Sequence, residues 1–474
     1  MMASNNKLSY TCGALLAASL LGAGCIAPVS AHAATTNSSV SSVASTSSTS
    51  SSSSNTASTT INSSTANAVA TTATSATASS NGLQPQKAWA SDNLLTTSAL
   101  VADASQSVMA DTYVVPARKL VYVHISQLIQ NTGAAKTQYS WVVDSLKALD
   151  QNTGKVKWTY TFHESAGPYT LYSLAKFTAS GTAYVFQSFS DNTYRLYSIN
   201  SSGELNWIRS LPRQGDGDIV DFEVMQDGSI VAAVQHDYNS KGIYTTDLLR
   251  FQAGGKLLNR TSIQGQVLGI QQNRILFNAS PLVKDKSGIW GNPYSPQIAV
   301  YDLSLKKTFA YKLPKNAYVF SESNAGQLVM PDGSVVIRAE ATSTQDKLYG
   351  FSPTGTLLWG RLILVDAFVQ PAGSGYATYS PSTMTLDLYS SKGKIATRSF
   401  NELADETTDL TTNVNGNLML NLAQHTYVIN PETLNVALSF ATDRDWIDPF
   451  VKSYADRAVY TTLNDGKVYR WNLK

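Results

Sequence analysis

Three aspartates take equivalent places when the chain is aligned on its recurring strand starts. They are Asp221 in Val220-Asp221-Phe222, Asp366 in Val365-Asp366-Ala367 and Asp448 in Ile447-Asp448-Pro449. Asp216, Asp218, Asp405, Glu406, Asp409, Asp443 and Asp445 lie nearby along the chain. Carboxylates converging on one opening would concentrate cations or a basic peptide segment. The competing reading is that each Asp caps a turn by accepting neighbouring backbone N–H groups. The stretch Asp216-Gly217-Asp218-Ile219-Val220-Asp221 offers carboxylates to Ca2+, but it lacks the spacing and the twelfth-position Glu of a known calcium loop. The expectation is therefore no metal and no cofactor.

Other chemistry finds little material. His124, His163, His236 and His425 fall in different parts of the chain without ligand spacing. Cys12 and Cys25 both lie in the first 25 residues, which leaves the rest without a thiol nucleophile, a cysteine zinc site or a disulfide. There is no Gly-x-Ser-x-Gly elbow, no P-loop and no Gly-x-Gly-x-x-Gly. Lys plus Arg is 35 against 33 for Asp plus Glu, a formal charge of +2 that excludes the basic footprint of a nucleic-acid binder. The charged fraction of 14%, against about a quarter in typical domains, suits a β-rich secreted protein.

The N-terminus reads as an export signal. Lys7 precedes an apolar run over residues 13–27, shorter than the roughly 20 residues a spanning helix needs. Ala31-His32-Ala33 then supplies a small-residue cleavage site, so residues 1–33 form a signal peptide and no transmembrane segment remains after cleavage. Leu21-Gly22-Ala23-Gly24-Cys25 is similar to a lipidation site but places its aliphatic residue four positions before the cysteine rather than three. Residues 34–82 are almost entirely Ser, Thr, Ala and Asn, with no charge and no aromatic ring. Such a segment cannot bury enough apolar surface to offset the entropy of ordering it, and it is expected to be a disordered linker.

Residues 83–474 carry a repeat. Leu149-Asp150 with Gly154 and Trp158 returns as Leu196-Tyr197 with Gly203 and Trp207, and again as Leu348-Tyr349 with Gly355 and Trp359. Fainter copies pair Phe251 with Gly254 and Leu258, Tyr301 with Phe309, Tyr389 with Gly393 and Ile395, and Asn430 with Leu434 and Val436. The seven hairpins recur every ~38 to 52 residues, within the range of propeller blades. Asp227-Gly228 and Pro331-Asp332-Gly333 mark further hairpins between them. Four strands per repeat cannot bury both faces of a sheet alone, so the repeats must stack around an axis. An eighth unit is split: residues 458–471 give two strands, and Gln86-Lys87-Ala88-Trp89-Ala90 supplies the outer one by pairing with residues 468–473. The fold expected is all-β, an eight-bladed β-propeller closed by its two ends, with seven blades as the alternative. Trp158, Trp207 and Trp359 are expected as wedges between blades.

The run Ala148-x-Asp150-x-x-x-Gly154-x-x-x-Trp158 resembles the repeat of pyrroloquinoline-quinone (PQQ)-type propellers, a family that includes quinoprotein alcohol dehydrogenases and the propeller lipoprotein of the outer-membrane assembly machinery. The resemblance covers residues 83–474 as architecture; Leu258, Phe309 and Thr397 stand where the repeat usually has Trp. In the quinoprotein enzymes it implies a vicinal cysteine pair on the quinone and a carboxylate and amide on calcium, and the mature chain has no such cysteine pair. The reading is therefore a secreted or cell-surface, non-enzymatic, monomeric propeller that binds protein or polysaccharide partners. The alternatives are a quinoprotein-like oxidoreductase, a glycan-cleaving propeller enzyme, or an envelope-assembly lipoprotein anchored through Cys25. Mass spectrometry of the mature protein should find Ala34 at the N-terminus; a lipidated Cys25 would establish the lipoprotein instead.

Overall fold

A four-stranded sheet that is apolar on both faces is stable only between two others. The computed structural model describes residues 85–95, 107–130, 139–162 and 170–473, apart from 190, 214, 216, 285, 287, 289, 292–295, 316, 320–325, 405–407, 414–415, 442–452, 456 and 463–465. Within these residues the strands form eight antiparallel blades, I to VIII, of which the first seven are built outward from the axis in chain order. They occupy residues 107–161, 170–212, 218–264, 266–312, 318–364, 368–399, 409–441 and 453–473. In each blade the strands are named A to D from the axis outward. Blade IV carries a small extra hairpin over 283–291 between strands B and C, and strand A of blade V is split in two, Tyr318–Val319 and Leu328–Val329.

Blade VIII closes the ring with its two chain ends. Its strands A to C are Ser453–Ala455, Ala458–Thr462 and Val468–Leu473, and strand D is the N-terminal Pro85–Ala90. Pro85 stands opposite Leu473 and Trp89 opposite Arg470. Blade VIII then packs on blade I, where Trp89, Leu94, Tyr460 and Val468 share a buried cluster with Val121, Val123, Ile125 and Leu149. The eight-bladed expectation and the split unit both match, and the seven-bladed alternative falls.

The core is distributed rather than central. Eight apolar clusters are present among the described residues, and each one spans a single blade–blade interface. The hairpin joining strands C and D sets the spacing of each interface. A capping side chain opens it: the Asn200 carboxamide oxygen accepts N–H from Ser202 and Glu204, as the Asp302 carboxylate does from Ser304 and Lys306. A left-handed residue then closes the loop, as a short bulged hairpin demands. It is glycine in blades I, II, III and V (Gly154, Gly203, Gly255 and Gly355, φ 72 to 91) and leucine in blades IV and VII (Leu305, φ 68; Leu434, φ 58).

That alternation has a packing cause. The ring four positions after the turn lies against the turn glycine of the next blade. A Cβ on Gly203 would sit 2.6 Å from Trp158 Cδ2, and one on Gly255 would sit 2.6 Å from Trp207 Cε3. Trp89 covers Gly154 and Phe309 covers Gly355 in the same way. The indole N–H then donates to the carbonyl that begins the neighbouring turn: Trp89 to Gln151 at 3.1 Å, Trp158 to Ser201 at 3.0 Å and Trp207 to Ala253 at 3.1 Å. Where the wedge position is small, the next turn supplies the bulk itself. Register places Asn259, not Leu258, at the wedge position of blade III, and Leu305 fills the interface with blade IV. It places Ala396, not Thr397, in blade VI, and Leu434 fills the interface with blade VII. The turn residue of blade III is likewise Gly255 rather than Gly254. Blade III shifts because the second of two adjacent glycines takes the turn, and blade VI shifts because its turn is shorter.

Trp158→Ala and Trp207→Ala should each lower stability by about 3–5 kcal/mol in urea unfolding, because each leaves an interblade cavity. Asn259→Ala at the equivalent exposed position should stay within about 0.5 kcal/mol of the parent. Equal losses at all three sites would refute the ring-on-glycine interlock.

Candidate functional site

The innermost strands bring a charged group together in the channel of blades II and III. Asp221 lies on strand A of blade III, Asp218–Val224, at a bulge between Ile219 and Asp221. One carboxylate oxygen accepts the N–H of Phe222 at 2.8 Å, and the other accepts the N–H of Ile270 in blade IV at 2.7 Å. Lys176, on strand A of blade II (Thr170–Phe177), places its ammonium 3.7 Å from Asp221 Oδ1 and 3.9 Å from Glu223 Oε2. Asp221 thus ties two inner strands together and shares one cation with Glu223. Burial pushes the Glu223 carboxyl up to about 7; the nearby Lys176 lowers it and Asp221 raises it.

Asp366 belongs to a different level. It precedes strand A of blade VI, Phe368–Ala372, and accepts the Ser380 hydroxyl at 2.9 Å and the Ser382 N–H at 2.8 Å. Both serines lie where strand B of that blade ends. Asp221, by contrast, pairs with Ala233, three residues inside the end of strand B of blade III, Ile230–His236. The alignment of Asp221 with Asp366 therefore does not carry into the ring, and Asp366 behaves as a turn cap. Asp448 lies outside the described residues, as do Asp216, Asp405, Glu406, Asp443 and Asp445. Among the described residues no three His, Cys, Asp or Glu side chains are arranged to hold a metal ion.

The histidines each enter a separate polar knot. His124 Nε2 lies 3.2 Å from the Ser173 hydroxyl of blade II, and His163 is outside the described residues. His236 Nε2 lies 3.0 Å from Asp247, which also accepts from Arg260 and from the Ser262 hydroxyl. Burial alone would raise Asp247, yet the bonds from Ser262, Arg260 and His236 hold it below the usual carboxylate value. His425 and Tyr427 both bond Glu402. These knots fasten strands to one another.

An opening lies between blades V and VI, where the interlock is broken. Trp359 occupies the wedge position of blade V, on strand D, Leu357–Leu364, opposite Gly350. The next turn, in blade VI, is a two-residue loop in which Ser390 pairs directly with Gly393. Gly393 has φ 151 instead of about 80, and a Cβ there would meet nothing within 4 Å. The ledge that receives the ring elsewhere is absent. Trp359 instead stacks on Tyr376 at 5.5 Å, which stacks on Tyr389 at 5.1 Å, with the Arg361 guanidinium 4.8 Å over the Trp359 ring. Arg361 also donates to the Tyr376 hydroxyl oxygen. Burial pushes that phenol up to about 12 despite Arg361, so it stays protonated. The cleft left above these rings measures about 140 Å3. Phe351, Trp359, Tyr376, Ser374, Ser391 and Asp332 line it. Leu358 at its edge is 53% exposed. Trp359 Nε1 makes no hydrogen bond among the described residues, unlike the indoles of Trp89, Trp158 and Trp207.

Sequence reasoning placed Trp158, Trp207 and Trp359 in one class, and the structure separates the third. It did not single out Lys176, Glu223, Arg361 or Tyr376. The short turn of blade VI left no trace, since Gly393 follows Tyr389 at the same four-residue distance as Gly355 follows Phe351.

No family model and no curated protein matches the sequence. Solved structures are similar at low identity and low TM-score. They include Raptor from Chaetomium thermophilum (10% identity, TM-score 0.36, 83% of this chain). A catalytically inactive virginiamycin B lyase from Staphylococcus aureus with quinupristin is similar at 11% identity and TM-score 0.37, over 65% of this chain and 95% of that one. The β-propeller domain of the Trilobed protease from Pyrococcus furiosus is similar at 10% identity and TM-score 0.38, over 66% of this chain and 90% of that one. This chain spans 28% of the length of the Raptor protein.

Glu223 makes stability depend on pH in a defined direction. Its carboxyl holds a proton in the folded state up to about 7, whereas the ordinary value is 4.5. Between those values the folded state binds the extra proton, so stability falls as pH rises, by at most about 3 kcal/mol across the window. Urea midpoints measured from pH 5 to 8 should decline in the parent and flatten in Glu223→Gln. An unchanged slope in the variant would exclude this carboxyl as the source.

Proposed function

We propose that this protein is an extracellular binding module, a PQQ-like propeller that holds a protein or glycan partner without transforming it. The observation that carries this reading is the cleft between blades V and VI. It is the interface where the partly exposed Trp359 ring and the Ser374 and Ser391 hydroxyls border an opening instead of a neighbouring turn. Ligand sites are typically such recesses, apolar in the main with a few placed polar groups. The seats of Trp158 and Trp207 on the next blade's turn glycine support the PQQ-like blade type.

The export-signal pattern of residues 1–33 supports the extracellular part. Strand D of blade VIII starts at Pro85 on the outer rim, so the Ser/Thr-rich segment 34–82 joins the wheel at its edge. A tether at the rim leaves both loop-bearing faces and the interblade clefts accessible. No helix among the described residues is long and apolar enough to cross a membrane. The channel group of Lys176, Asp221 and Glu223 is read as structural, because Asp221 already bonds two backbone N–H groups.

Full-length protein mixed with washed surface material of the producing cells should sediment with it. The same protein reconstituted with PQQ and Ca2+ should give neither a quinone absorbance band nor dye-linked alcohol oxidation. A bound quinone with dye reduction would replace the binding reading with an oxidoreductase.

A further inference from the structure

We propose that the cleft between blades V and VI is a monosaccharide subsite that takes one pyranose ring of a polysaccharide or glycan. This rests on the binding reading above and names the ligand class of the same site.

Four features select that class. The first is size: about 140 Å3 admits one small ring and not a polymer lying lengthwise. The second is the wall, where the partly exposed Trp359 ring supplies the aromatic edge and the buried Phe351 and Tyr376 stand behind it. A pyranose is apolar across its C–H faces and polar around its perimeter, so it matches a recess with one accessible ring and short polar side chains at the mouth. Ser374, Ser391 and Asp332 supply that mouth. The third is the set of hydrogen-bonding groups left over. Trp359 Nε1 and the Ser374 and Ser391 hydroxyls make no hydrogen bond among the described residues. Asp332 accepts the Ser334 N–H and hydroxyl through Oδ1, at 2.9 and 2.6 Å. Its Oδ2 accepts none among the described residues. A purely apolar peptide side chain would strip these groups of water and return nothing, at a cost of about 1–3 kcal/mol for each buried one. A sugar perimeter offers both donors and acceptors. The fourth is charge: the carboxylate of Asp332 at the mouth disfavours phosphate-bearing ligands.

The break in repeat symmetry is independent of this lining. At the interfaces of blades VIII–I, I–II and II–III the indole N–H is satisfied by the next turn. At V–VI the turn is one residue shorter than in blade V, and the ring is held instead by Tyr376 and Arg361. Gly350 lets Trp359 lie close to its own sheet, since a Cβ there would run into the indole. The site is thus the interblade wedge with its receiving ledge removed.

Saturation-transfer difference NMR on the full-length protein would test it, with the methyl glycosides of glucose, galactose, mannose and N-acetylglucosamine as probes. At least one should show enhancement of its ring protons. Ser391→Leu, which plugs the mouth at a position of ordinary φ, should abolish the signal. Trp359→Phe keeps a ring but removes one donor and should weaken binding about tenfold. Trp207→Phe makes the same change at the II–III interface and should leave binding unaltered. Circular dichroism melting of each variant separates loss of binding from loss of fold. Silence from all four glycosides, or a signal that survives Ser391→Leu, would overturn the subsite. If the protein still sediments with surface material in that case, the binding reading stands and only the sugar assignment falls.

Discussion

The constraint behind this fold is that no blade can bury its own faces. Buried residues alternate to both sides of strands B and C; in strand Ala183–Phe189 all seven residues are buried. Such a sheet needs a neighbour on each side, and only a closed ring gives every sheet two. The chain meets this with eight interfacial clusters and an outer strand lent to the last blade by the N-terminus. Stability is consequently a sum over interfaces, as in stacked repeats. The closing interface carries the long-range part of the fold, since Ser91 and Val468 exchange hydrogen bonds across most of the chain length.

Each interface distributes a fixed volume between a wedge and a turn. Indole or phenyl on one blade goes with glycine on the next, and Asn or Ala on one blade goes with leucine on the next. The leucines pay with a left-handed backbone, at φ 68 and 58, which an L side chain rarely adopts. Leu434 is almost fully buried, which offsets that strain. The interface between blades V and VI departs from both solutions. Its ring is large and its turn is too short to receive it, so volume is left over, and that is the opening identified above.

What the sequence revealed and what it hid follow from the range of the interactions. Gly203 and Trp207 are four residues apart, and the hairpin they define is local, so strands, turns and blade number were legible. Trp89 was legible because blade VIII lacked an outer strand and Gln86–Ala90 had the matching pattern. The partner of each ring was harder to read, because Trp158 and Gly203 belong to successive repeats. The depth of Asp221 was hidden because it stands inside its strand, three residues before Val224, whereas Asp366 precedes the start of its strand at Phe368. His236 and Asp247 are eleven residues apart on adjacent strands, a pairing that only register discloses.

The interlock also bears on how such a wheel can change over time. A blade owns half of two couplings, the wedge it offers forward and the seat it offers backward. Copying or transplanting one unit therefore brings a mismatched half to each seam unless its neighbours share the same type. In this chain a unit from the tryptophan-and-glycine run, blades I and II, could be duplicated among its own kind, whereas blade IV, with a leucine seat behind and a phenylalanine ahead, fits only where it stands. Lineages of this ring should accordingly gain and lose segments within the first run and hold the leucine-seated units fixed.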